Sequence, residues 1–290
     1  MNRRLLFLIG ILAWLTACQP SPIDPPPPSG GLRDTTIKNI SYGANSSQVL
    51  DLGLPAGRTS TTTNLVIVIH GGGWATGDKS ELSWLLNGMK ARGYAVANIN
   101  YRLTLNSTDN FKMQLDDVDS AIRHVLRLAP VHQFNGTKLF IAGHSAGGHL
   151  AISYACTRNS TGMVRAAASL AGPMDLFAMS YYNFNYYNII LQPYLGMPLL
   201  PLTTASEQRY KNCSPRYLAT AATPPVIFFH GEMDPVVFTD QSSSMATTLG
   251  ALGVDKRLVS YPLTFHDWWT DAAKTANTMD EMKTWFTTHP

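Results

Sequence analysis

Charge is scarce in this sequence. Asp, Glu, Lys and Arg make up 14% of 290 residues and leave a formal net charge of +3, which argues against the basic surface that nucleic acid requires. Cysteine is scarcer, at three residues, so no disulfide scaffold replaces a hydrophobic core. Long apolar runs are missing beyond Leu5–Leu15, and that run is too short to remain as a membrane-spanning helix. After the glycine run at Gly71–Gly73 no lysine and Ser/Thr pair opens a following helix in the P-loop arrangement, which removes the phosphate-binding P-loop from consideration.

What is present begins with a processing signal. Arg3 and Arg4 precede the short apolar run, which ends in Leu15-Thr16-Ala17-Cys18. Residues 1–17 read as a secretory signal peptide, and its ending resembles the bacterial lipobox, after which Cys18 becomes the lipidated first residue. The expectation is a protein anchored by lipid at Cys18 in the bacterial cell envelope, facing the periplasm or the outer surface. Residues 18–34 contain Pro25-Pro26-Pro27-Pro28 and read as an extended tether. Cys156 and Cys213 then remain in an oxidising compartment, either as a disulfide or as two buried thiols.

The rest, residues 35–290, is 45% hydrophobic by the composition of the whole chain and suffices for one large core. Two alternating segments, Ile37–Tyr42 and Gln48–Pro55, read as antiparallel strands. Continuous apolar runs follow at Leu65–Ile69, Tyr94–Ile99, Leu139–Ala142, Ala166–Leu170, Val226–Phe229 and Lys256–Tyr261. Helical periodicity lies between several of them, as at Leu82–Arg92 and Gln114–Leu128. Strands alternating with helices predict an α/β fold with a mainly parallel sheet covered on both faces, whose ligands gather at the carboxyl ends of the strands. Residues 174–210 interrupt this rhythm with Tyr181, Tyr182, Phe184, Tyr186 and Tyr187. They read either as a small aromatic-rich cap over a pocket or as a helical connection whose rings cover the core.

The chain is organised around Gly143-His144-Ser145-Ala146-Gly147, which follows a strand and opens a helix. Gly-x-Ser-x-Gly in that context places a serine on a strained turn, with glycines where side chains would collide. A serine hydroxyl needs a base, and the base needs an orienting acid. Asp234 lies after the strand Val226–Phe229, and His266 lies after Leu258–Tyr261. The order Ser145, Asp234, His266 therefore makes a candidate triad. Glu232 competes with Asp234, and Asp240 and Asp255 are more distant alternatives. His230 and His149 read as structural. The side-chain-free run Gly71-Gly72-Gly73 can offer backbone N–H groups to an oxyanion, as can Ala146 beside the serine.

Together His70-Gly71-Gly72-Gly73-Trp74, Asn100-Tyr101-Arg102-Leu103, Gly143–Ala151, His230–Val237 and His266 resemble the α/β-hydrolase superfamily. More narrowly, they resemble the hormone-sensitive-lipase-like and the feruloyl or acetyl xylan esterase-like carboxylesterases of bacteria. His144 stands where many of the first group carry an acid, which favours the second. The resemblance implies a sheet of about eight strands, the amides of Gly72, Gly73 and Ala146 as oxyanion donors, and no metal or cofactor. It also implies hydrolysis of short-chain or aryl esters, such as acetyl or feruloyl groups on plant polysaccharide. By composition, Trp74 and the run Tyr181–Tyr187, with Tyr181, Tyr182 and Phe184, are expected to form an aromatic rim that contacts substrate. An arylformamidase, a serine peptidase and a non-catalytic binding lipoprotein on the same scaffold are the competing readings.

Overall fold

The computed structural model describes residues 32–104, 110–182, 184–196 and 203–290. The signal peptide, Cys18 and most of the tether lie outside the described residues, as do the side chains of Tyr181, Tyr182 and Phe184.

In chain order the body runs β1 (Thr35–Ser41), β2 (Val49–Leu54), β3 (Leu65–Ile69), α1 (Ser83–Ala91), β4 (Ala95–Ile99), α2 (Asn110–His132), β5 (Leu139–His144), α3 (Ala146–Thr157) and β6 (Val164–Leu170). An insertion of four helices follows: α4 (Leu176–Tyr182), α5 (Phe184–Leu195), α6 (Thr204–Asn212) and α7 (Pro215–Leu218). The chain then closes with β7 (Val226–Gly231), α8 (Asp240–Ala251), β8 (Lys256–Tyr261) and α9 (Ala272–Thr288). The eight strands form one sheet in the order β1-β2-β4-β3-β5-β6-β7-β8. Only the pairings of β2 with β1 and with β4 are antiparallel, while β4, β3, β5, β6, β7 and β8 run parallel.

Every residue of β3, β4, β5 and β7 is buried, as continuous apolar strands require when helices cover both faces. Leu65, Ile67 and Ile69 join the core beneath α2, α3 and α8, whereas Val66 and Val68 join the one beneath α1 and α9. The period of two along one strand thus feeds two separate cores. Helix α2 runs a turn or so past each end of the Gln114–Leu128 pattern, because Asn110, Phe111 and Ala129 are also buried. Helix α3 is buried from Ala146 through Ala155, which explains why it carries no polar face.

Cys156 in α3 is a free thiol, so no disulfide joins it to Cys213. Burial pushes the Cys156 thiol up to about 12, well away from the thiolate range in which cysteines react. Among the described residues no helix is long and apolar enough to cross a membrane.

Candidate active site

The site begins with a steric requirement. Between β5 and α3 the chain must reverse within one residue, and Ser145 takes that position with φ 52° and ψ −123°. A side chain there is strained, and it persists because the neighbours leave no alternative. A Cβ on Gly143 would stand 2.2 Å from the Gly147 carbonyl oxygen, and one on Gly147 would stand 2.1 Å from the Ile69 oxygen. The two glycines let the start of α3 press onto β3 and β5. The Ser145 N–H is taken by the Leu170 carbonyl at 2.8 Å, which fixes the turn to β6.

Asp234 sits in the turn after β7. Its Oδ1 accepts the Val236 and Val237 N–H groups at 2.8 and 2.9 Å, and its Oδ2 accepts from His266 Nδ1–H at 2.6 Å. Burial alone would raise this carboxyl, but hydrogen bonds from His230 and His266 outweigh it and hold Asp234 well below the usual carboxylate range. His230, inside β7, points Nε2 at both the Val237 carbonyl, 2.7 Å away, and Asp234 Oδ2, 3.4 Å away, while its Nδ1 meets Ser242 Oγ at 2.7 Å. It thereby pins the turn that presents Asp234.

In the turn after β3 the run Gly71–Gly73 between His70 and Trp74 has no side chains. Gly72 has φ 97°, and a Cβ there would fall 2.2 Å from the Thr76 carbonyl oxygen. Its carbonyl accepts the N–H groups of Ala75 and Thr76 at 3.2 and 3.0 Å. From beneath, the Tyr101 hydroxyl donates to the His70 carbonyl at 3.2 Å, and the Tyr101 ring stacks on His70. Arg102 holds the buried Asp117 through Nε and Nη2 at 2.9 and 2.6 Å, which anchors the Asn100–Leu103 segment to α2. The motif residues around the site therefore brace one another across β3, β4 and α2.

Gly72, Gly73, Ser145, Ala146 and His266 line one cavity of about 470 Å³. Its walls are largely apolar, from Trp74, Pro173, Met179, Ile190, Val237 and Trp269, and its acidic lining groups are Glu81 and Asp267. No lysine or arginine lines it among the described residues. Met179 and Ile190 come from α4 and α5, so the insertion contributes to the wall. Trp74 is 2% exposed. It is a wall deep in the fold and not a rim, because its indole N–H is bonded to His149 at 3.2 Å and its ring stacks on Tyr194 at 4.2 Å.

His144 is the neighbour that sequence reasoning left without a role. Its Nε2 lies 3.3 Å from the His266 carbonyl oxygen and 3.4 Å from Asp267 Oδ1, and its ring meets Trp269 edge-on at 4.8 Å. Burial, then the adjacent His266, lower it to about 3, so it is neutral and donates to the loop that carries His266. No pattern along the chain signals the contact with Asp267, which spans 123 residues. Among the described residues His144, His266 and Asp267 form one group able to hold a metal ion, with donor atoms within 4.8 Å. His266 Nδ1 is committed to Asp234, so an ion there would compete for the nitrogen that a base uses.

The geometry can be compared with known proteins. Esterase LipC of Mycobacterium tuberculosis is 25% identical over 250 residues, covering 80% of this chain and 60% of LipC. Kynurenine formamidase of Salmo salar is 28% identical over 169 residues, covering 57% of this chain and 51% of that enzyme. The chain thus spans between half and three-fifths of these curated relatives. A solved truncated carbohydrate esterase from gut microbiota superposes with a TM-score of 0.70 at 22% identity, over 89% of this chain and 99% of the other, a likeness of fold. The BD-FAE family profile matches residues 50–249, a span from within β2 through most of α8 that includes Ser145 and Asp234. The strand order, the strained serine turn and that match place this α/β-hydrolase chain in the BD-FAE family.

Proposed function

We propose that this protein is a serine carboxylic ester hydrolase. The observation that carries the reading is that Ser145, on its strained turn, lines the same cavity as His266, whose far nitrogen is held by Asp234. In this mechanism Ser145 Oγ attacks the ester carbonyl and His266 Nε2 takes its proton. Asp234 keeps His266 in the required tautomer and stabilises the imidazolium. The N–H groups of Gly72, Gly73 and Ala146 receive the oxyanion. His266 then returns the proton to the leaving alcohol, and water resolves the acyl-enzyme by the same steps in reverse.

The substrate class we infer is short-chain or aryl esters, including acetyl or feruloyl groups on plant polysaccharide. A cavity of about 470 Å³ with apolar walls suits a small acyl or aryl group. The lack of a lysine or arginine among its described lining residues favours neutral esters over those bearing a carboxylate. The likeness to LipC, an esterase, supports ester hydrolysis. From the sequence at Leu15–Cys18 we further infer lipid anchoring through Cys18 in the cell envelope. Cys18→Ser should abolish incorporation of labelled palmitate.

The test is hydrolysis of p-nitrophenyl esters from acetate to palmitate, a feruloyl ester and N-formylkynurenine by the native protein and Ser145→Ala. Ser145-dependent cleavage of short or aryl esters supports the reading. The formamidase relative motivates the second reading, which prevails if N-formylkynurenine is consumed faster than every ester. A native protein that cleaves nothing and resists a serine-reactive phosphonate would be a binding protein on a hydrolase scaffold.

A further inference from the structure

His149 lies one turn after Ser145 in α3 and is completely buried. Both of its ring nitrogens are used. Nδ1 accepts from the Trp74 indole N–H at 3.2 Å, and Nε2 contacts the Cys213 carbonyl oxygen at 2.7 Å. An indole nitrogen only donates and a carbonyl only accepts, so the partners themselves fix one neutral tautomer, with the proton on Nε2. Burial lowers this imidazole to about 4, in keeping with that form.

The ring's partners belong to different parts of the site. Trp74 follows Gly73 directly and itself holds φ 62°. Its carbonyl takes the Thr104 N–H at 2.7 Å and Gln114 Nε2 at 3.0 Å, and its ring stacks on Tyr194 of α5 at 4.2 Å. Cys213 ends α6. On its own helix, the His149 N–H is bonded to the Ser145 carbonyl at 3.0 Å. One imidazole therefore joins the serine helix, the glycine turn and the insertion that walls the cavity.

We propose that His149 is the positioning residue that sets the Gly72–Gly73 amides against Ser145 and seats the insertion beside them. The inference rests on the serine-hydrolase reading. Oxyanion donors act only when their N–H groups stand at hydrogen-bond distance from the oxygen as its charge develops. The glycines have no side chains with which to hold that distance; Tyr101 braces the start of the turn through the His70 and Gly71 carbonyls, and Trp74, directly after Gly73, braces its far end. Trp74 is in turn fixed by the hydrogen bond to His149 and the stack on Tyr194.

The test is a comparison of His149→Phe, His149→Gln, Trp74→Phe and the double variant Trp74→Phe/His149→Phe in the full chain. Phenylalanine keeps a ring at position 149 but removes the two nitrogens that meet the Trp74 N–H and the Cys213 carbonyl; glutamine offers both an acceptor and a donor. With p-nitrophenyl acetate, His149→Phe should lose about 10- to 100-fold in kcat, with a much smaller change in KM. Inactivation by a p-nitrophenyl phosphonate, which also loads the oxyanion site, should slow by a similar factor. His149→Gln should recover most of the loss. The double variant should be little worse than the worse single variant, because both singles break the same Trp74–His149 hydrogen bond.

A folded His149→Phe with kcat within about twofold of native, a loss confined to KM, or additive effects in the double variant would overturn the proposal. If His149→Phe does not fold, the contrast between His149→Gln and Trp74→Phe decides. The proposal requires a kcat loss in Trp74→Phe and a smaller one in His149→Gln, and the reverse order sinks it. If instead the native protein shows no Ser145-dependent turnover, the serine-hydrolase reading itself fails, a result the variants cannot mimic.

Discussion

His266 Nδ1–H meets Asp234 Oδ2 at 2.6 Å while the other oxygen of the same carboxylate is filled by two backbone N–H groups. The acid is saturated and immobile, and its remaining capacity is directed at one imidazole. That is the arrangement needed to hold a base in one tautomer and to stabilise it once protonated.

Replacing that carboxylate should therefore act on the chemistry. Asp234→Asn is expected to lower kcat on p-nitrophenyl acetate by about 10³- to 10⁴-fold with little change in KM. A loss below about tenfold would mean that His266 does not depend on this partner.

The glycines of the serine turn are expected to be irreplaceable for steric reasons. Gly147→Ala places a Cβ against the Ile69 backbone oxygen at 2.1 Å, whereas Gly57→Ala meets nothing within 4 Å and is strained only by its φ of 64°. Gly57→Ala should cost about 1–2 kcal/mol. Gly147→Ala should cost more than that or leave no soluble protein, because both contacting groups are backbone. Thermal melts of the two variants check the ordering.

Stability should depend on pH through buried imidazoles. Burial lowers His70 and His149 from 6.5 to about 4. Between those values the unfolded chain binds protons that the folded chain refuses, so stability is full above about pH 6.5 and falls as pH drops toward 4. Asp234, whose carboxyl is also lowered, acts in the same direction at more acid pH. Urea midpoints from pH 8 to 4 should show this fall, with a shallower slope for His149→Gln. A flat profile would refute the assignment.

Charge at the cavity should set selectivity. Asp267 lines it with a side chain 59% exposed, and Glu81 is the other acidic lining group. The native kcat/KM for a p-nitrophenyl hemisuccinate should fall below that for the neutral acetate by about tenfold at low salt. Asp267→Lys should shrink that ratio, and about 1 M salt should erase the difference between the two proteins. An unchanged ratio would show that substrate does not pass Asp267.

The strands and the mainly parallel character of the sheet were legible in the chain, but not the exchange of β4 and β3 in the strand order. Their causes are local: uninterrupted β-branched runs at Leu65–Ile69 and Val226–Phe229 suit strands buried on both faces. The serine turn is local as well, since the clash that excludes a side chain at Gly143 comes from Gly147, four residues on. Packing alone decided the rest. Trp74 and His149 are 75 residues apart and His144 and Asp267 are 123 apart, and neither pairing follows from a pattern along the chain. A directional hydrogen bond needs its donor and acceptor within about 3 Å and correctly aimed. Only the stacking of α3 on the sheet, with the insertion beside it, brings those particular side chains to that distance.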